Sequence, residues 1–224
     1  MKTIDLAESS IRELNQALHD QAQECLEREF EVLNPKGQHN IACGIDQNLS
    51  VDIRGHAGYF CAGMNKKAHV VIHGNAGQGV AENMMSGTVR VKGDASQAAG
   101  ATAQGGLLVI EGNAGARCGI SMKGVDIVVG GSVGHMSAFL AQAGHLVVCG
   151  DAEDDLGDSI YEAVLYVRGR VGRLGAERYV PIRVKPLGAV ASGGNDGAPR
   201  DEQARPSNDS LVDGVTDADI RIAG

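Results

Sequence analysis

Apolar and polar positions alternate in short runs that recur every 19 residues between Val51 and Gly169. Each run reads apolar–x–apolar–x–Gly. The first apolar position is Val51, Val70, Val89, Leu108, Ile127, Leu146 and Leu165. The second is Ile53, Ile72, Val91, Ile110, Val129, Val148 and Val167, and the glycines are Gly55, Gly74, Gly93, Gly112, Gly131, Gly150 and Gly169. A period of two over β-branched residues predicts a strand with one buried face. The residue before the glycine is mostly polar (Arg54, His73, Lys92, Glu111, Arg168), so it is expected to point outward.

Two further positions keep step. Two residues after each glycine stands a small apolar residue, from Ala57 to Val171. Five beyond that the residue is always small: Ala62, Ala81, Gly100, Gly119, Ala138, Gly157 and Ala176. A strand and a turn cannot bury a core alone, but seven stacked copies can. The predicted fold is therefore all-β: a single-stranded parallel β-helix of seven 19-residue coils. Right-handed crossovers are the default between parallel strands. At a strand spacing of about 4.8 Å, seven coils make a column of roughly 34 Å. The glycines are expected to supply tight corners with positive φ. Crossover helices do not fit the short, glycine-rich intervals, which disfavours a βαβ protein with phosphate loops. The loop-like Gly130-Gly131-Ser132-Val133-Gly134 is mostly accounted for by the same frame. A hexapeptide β-helix does not fit either, because 19 is not a multiple of six.

The ends depart from the repeat. Residues 10–28 read as an amphipathic helix, with Ser10 and Glu13 in capping-box spacing and Ile11, Leu14, Leu18, Ala22, Cys25 and Leu26 on one face. Residues 1–32 are assigned as a helical cap over the exposed sheet end, or a docking segment. Residues 33–186 form the solenoid domain. Residues 187–224, with seven acidic and three basic side chains, read as a flexible acidic tail.

Charge and chemistry narrow the function. A net charge of −8 argues against nucleic acid and anionic membrane surfaces as partners. There is no apolar leader and no run long enough to span a membrane, and five cysteines suit a reducing cytoplasm. Cys61 and Cys118 share a phase but lie three coils apart, and no pair has zinc-site spacing. His69 and His145 share a phase four coils apart, while His56 and His73 differ in phase. The acids Glu153, Asp154, Asp155 and Asp158 read as a solvated turn. A carbohydrate-active β-helix enzyme is disfavoured by only three Phe, four Tyr and no Trp. No catalytic, cofactor-binding or metal-binding residue is assigned. Met64, Met84, Met85 and Met122 are candidate partner-interface residues, with buried filler as the alternative.

The in-frame corners Gly55-His-Ala-Gly58, Gly74-Asn-Ala-Gly77 and Gly112-Asn-Ala-Gly115 resemble the GXGXG domain. That is the β-helical part of the glutamate synthase large subunit, also found as a subunit of formylmethanofuran dehydrogenase. Residues 10–18, 55–65, 81–87 and 118–124 make the chain most similar to the small, free-standing GXGXG subunit of N-methylglutamate synthase, also called methylamine–glutamate N-methyltransferase. The resemblance implies a non-catalytic scaffold in a cytoplasmic hetero-oligomer. Its partners would be a class II glutamine amidotransferase-like subunit and an FMN-binding glutamate synthase-like subunit. FMN and an iron–sulfur cluster would sit on a partner, with no cofactor on this chain. Another GXGXG assembly is the alternative.

Overall fold

The computed structural model describes residues 1–20 and 28–175. The chain divides into two units, Met1–Gly188 and Ala189–Gly224; the acidic tail falls outside the described residues. The first unit is a parallel β-solenoid. Nine strands form one sheet in chain order: β1 (Lys2–Asp5), β2 (Glu29–Leu33), β3 (Ser50–Ile53), β4 (His69–Ile72), β5 (Thr88–Val91), β6 (Leu107–Ile110), β7 (Lys123–Val129), β8 (Ala143–Val148) and β9 (Val164–Val167). From β3 onward the pairing follows the 19-residue frame, with Val51 beside Val70, Val70 beside Val89, and so on to Leu146 beside Leu165. The inward ladders are buried, Ile53, Ile72, Val91, Ile110 and Val129 completely so. A second, single-residue ladder runs through Ala57, Ala76, Ala95, Ala114, Val133, Ala152 and Val171.

The N-terminal segment is not only a helix. β1 pairs with β2, and β2 with β3, so the sheet begins two strands before the regular repeat. Their connections span 28 and 21 residues (Ile4 to Val32, Val32 to Ile53), which takes them off the 19-residue frame. The helix α1 (Ile11–His19) sits in the first of these connections. It is shorter than the 10–28 expected: Asp20 caps it, and residues 21–27 lie outside the described set. The Ser10–Glu13 capping box is formed, and the Ser10 backbone N–H holds the Glu13 carboxyl below its usual range. Leu14 and Leu18 are fully buried in the solenoid's own core. Asn15 Nδ2 donates to the Asn40 carbonyl at 2.8 Å, and His19 Nε2 to that of Cys43 at 2.9 Å. α1 thus packs on the solenoid beside Asn40 and Cys43.

The corners correct one expectation. Gly74, Gly93, Gly112, Gly131, Gly150 and Gly169 are not in the left-handed region; Gly55, at φ 147°, is the exception. They are glycine because coils touch there. A Cβ on Gly150 would lie 2.6 Å from the Gly131 carbonyl carbon, and one on Gly74 2.8 Å from that of Gly55. Positive φ recurs instead at Gly87, Gly106, Gly124 and Gly144, and above all at another corner, at three alternate positions in each of six coils. These are Phe60, Gly79, Ala98, Arg117, Met136 and Asp155; Ala62, Ala81, Gly100, Gly119, Ala138 and Gly157; and Met64, Asn83, Thr102, Ser121, Leu140 and Ser159. Their N–H groups are used at every one of these positions before Ser159. Phe60 and Met64 donate to the next coil (Gln78 and Glu82 carbonyls), while Ala62 donates back to Ile41. The middle position is also buried, and a Cβ at Gly100 would meet Ile127 Cδ1 at 2.7 Å, so only small residues fit.

Candidate functional site

The strand glycines and the residues beside them build one continuous device. The residue after each of the first six glycines accepts a hydrogen bond from the backbone N–H one coil on. Asn75 N–H donates to His56 Nδ1 (2.9 Å), Asp94 N–H to Asn75 Oδ1 (3.0 Å), Asn113 N–H to Asp94 Oδ1 (2.7 Å), and Ser132 N–H to Asn113 Oδ1 (2.9 Å). Asp151 N–H then donates to Ser132 Oγ (3.0 Å), and Arg170 N–H to Asp151 Oδ1 (2.7 Å). This last backbone bond, reinforced by the Arg170 side chain, holds the Asp151 carboxyl below its usual range. Each position of the Gly-x-Ala-Gly motif thus has its own role. The first glycine allows coil contact, x carries the acceptor, and the alanine is the buried ladder. The second glycine allows contact again: a Cβ on Gly77 would lie 2.6 Å from the Gly58 carbonyl carbon. The sequence signal for x was its repeated acceptor chemistry (His, Asn, Asp, Asn, Ser, Asp), which hydrophobic periodicity passes over.

The four candidate methionines divide. Met84 and Met122 are fully buried core residues. Met64 and Met85 are exposed, at 53% and 43% of their surface. They sit on adjacent coils of the positive-φ corner, where Met85 N–H bonds the carbonyl of Asn65, the neighbour of Met64. Tyr59 and Phe60 lie on the same corner and are exposed too. Asn65 is fully buried and satisfied: its Nδ2 donates to the Ala68 carbonyl and to that of Ser86 in the next coil, and its Oδ1 accepts from Ala68 N–H.

The titratable side chains form rungs between neighbouring coils. His73 Nε2 meets Asp52 Oδ1 at 2.7 Å and Arg54 at 3.1 Å. His145 Nδ1 meets Asp126 Oδ1 at 2.7 Å, and His69 Nδ1 meets Thr88 Oγ1 at 2.7 Å. Burial raises the Glu111 carboxyl, but bonds from Lys92 and Arg90 outweigh that and leave it lowered. The acidic turn is tied to the last described coil: Arg173 N–H donates to Asp154 Oδ1, and its side chain pairs with Asp155 at 3.2 Å. Burial pushes the Cys118 thiol up to about 12, and that of Cys61 further still. Such thiols stay protonated and are poor ligands or nucleophiles. Among the described residues no three His, Cys, Asp or Glu gather as a metal would need. The described cysteines, spread over separate coils, do not fit an iron–sulfur cluster; Cys25 lies outside them. No described helix is long and apolar enough to cross a membrane.

Comparison with known proteins gives a close relative. The chain is 61% identical over 177 residues to Protein GlxC of Rhizobium meliloti (strain 1021), covering 79% of this chain and 78% of the relative. The chain belongs to the GlxC family. No family model and no solved structure matches it. What the GlxC-family chain offers a ligand or partner is therefore read from its own surface: a solenoid with many of its polar side chains bonded between coils, and an apolar corner at Tyr59, Phe60, Met64 and Met85.

Proposed function

We propose that this GlxC-family chain is a non-catalytic GXGXG scaffold subunit of a glutamate synthase-like flavin and iron–sulfur complex. The complex makes N-methyl-L-glutamate from methylamine and L-glutamate, releasing ammonia. In it the solenoid bridges an amidotransferase-like subunit and an FMN-binding subunit, and the flavin and cluster are held by partners. The observation that carries this reading is the Gly-x-Ala-Gly corner, repeated in frame along the solenoid. The physical support is rigidity. Every coil is locked to the next by strand pairing, an alanine ladder and a side-chain acceptor ladder. A spacer between two active sites needs that property, since small displacements of reacting groups cost rate.

The test is isolation of the tagged full-length chain from its native cells, with mass spectrometry of what accompanies it. An FMN flavoprotein and an amidotransferase-like protein should co-purify, and only the complex should convert methylamine and glutamate. A tungsten or molybdenum cofactor in the complex, or no amidotransferase-like protein, would assign the chain to another GXGXG assembly. Turnover by the isolated chain would end the scaffold reading.

A further inference from the structure

The positive-φ corner forms a ridge along the solenoid, and its exposed side chains are arranged in a self-complementary order. Toward the N-terminal end stand Phe60, Met64 and Met85, with Lys66 and Lys67 exposed beside them. Four to five coils further on the same phases carry the half-buried Met136 and the exposed Leu140 and Tyr161, with Glu162 exposed beside them. Tyr161 is 63% exposed, a large aromatic surface left in water. Among the described residues Lys66, Lys67 and Glu162 have no ion-pair partner. One end of the ridge is thus apolar and basic, the other apolar and acidic.

We propose that two copies of this chain associate ridge to ridge, antiparallel, about a two-fold axis between the third and fourth coils. An isologous contact requires each surface to match its own reversed image, and the 19-residue frame lets that be checked. Lys67 and Glu162 occupy one phase in the first and sixth coils, so this axis sets each opposite the other. It sets Lys66 opposite Tyr161, Met136 opposite Gly79, and Leu140 opposite Asn83. The Phe60 ring lies over Gly79, since a Cβ there would be 2.7 Å from Phe60 Cδ1, so Met136 of the second copy meets an aromatic face. Near the axis, Arg117 falls opposite Ala98 and Lys123 opposite Gln104, so no like charges are brought together. This association is independent of the scaffold reading and does not require any other subunit.

Sedimentation of the purified full-length chain tests it, with circular dichroism to verify that each variant is folded. The wild type should be a dimer at micromolar concentration. Lys67→Glu and Glu162→Lys should each weaken the dimer by about tenfold or more, because each reversal is felt twice across the axis. The double variant should recover most of the loss. A monomeric wild type would overturn the proposal, as would a dimer indifferent to both single reversals or a double variant no tighter than the single ones.

Discussion

Gly150 occupies a point where a methyl group has nowhere to go, because the backbone of Gly131 is beneath it. At Gly93 the nearest obstacle is instead the Asn75 side-chain oxygen, which accepts from Asp94 N–H. Gly150→Ala is therefore expected to lower the melting temperature more than Gly93→Ala, which displaces one hydrogen bond. Gly93→Val should cost a few kcal/mol, roughly the scale of overpacking plus a lost bond. Urea titrations of the three variants give the order. Periodicity marked both sites as glycine but not the cause, since contact between coils and positive φ leave the same mark in a sequence. For the methionines, phase carries more than residue type does. Met84 and Met122 share a phase with Ala103 and Ala141, which are buried, while Met64 and Met85 do not. Met122→Ala should cost about 2–5 kcal/mol, and Met64→Ser should leave thermal stability nearly unchanged.

At the scale of the element, the side-chain ladder supplies one bond per coil in addition to the strand pairing. Asn113→Ala removes an acceptor from Ser132 N–H and should cost about 0.5–1.5 kcal/mol. Asn113→Asp keeps the acceptor, as Asp94 shows in the preceding coil, and should cost less. The Asp151 rung adds a pH dependence. Its carboxyl titrates lower in the folded chain than in the unfolded one. Its contribution is therefore full above the ordinary carboxylate value and is lost as pH falls through the depressed one. Between about pH 5 and pH 3, Asp151→Asn should lose less melting temperature than the wild type. The strands from β3 onward were legible because each repeats its neighbours' register. β1 and β2 were not, since single connections of 28 and 21 residues offer no repeat to compare.

For the whole molecule, the uniform register means that a coil is a removable unit. Deleting residues 89–107 joins Thr88 to Leu108 in phase, and the shortened chain should still melt cooperatively. Deleting residues 89–106 leaves one coil a residue too long, so the chain must bulge there to keep its ladders inward, and it should melt at a lower temperature than the in-frame deletion. Circular dichroism melts of the two deletions separate these outcomes. The seven coils were legible in the sequence; the exposed corner ridge was not, because its residues vary while its backbone does not. The ladder of acceptors also gives the column a direction. Each rung from His56 to Asp151 receives a proton donor from the coil after it, so any of these coils presents the same socket to its successor. Arg170 ends the series with a cation, whose side chain has no lone pair to offer and turns back to Asp151 at 3.0 Å. Among the described residues the acceptor ladder thus closes at Arg170, and a backbone N–H placed one coil further on would find a cation there rather than a lone pair.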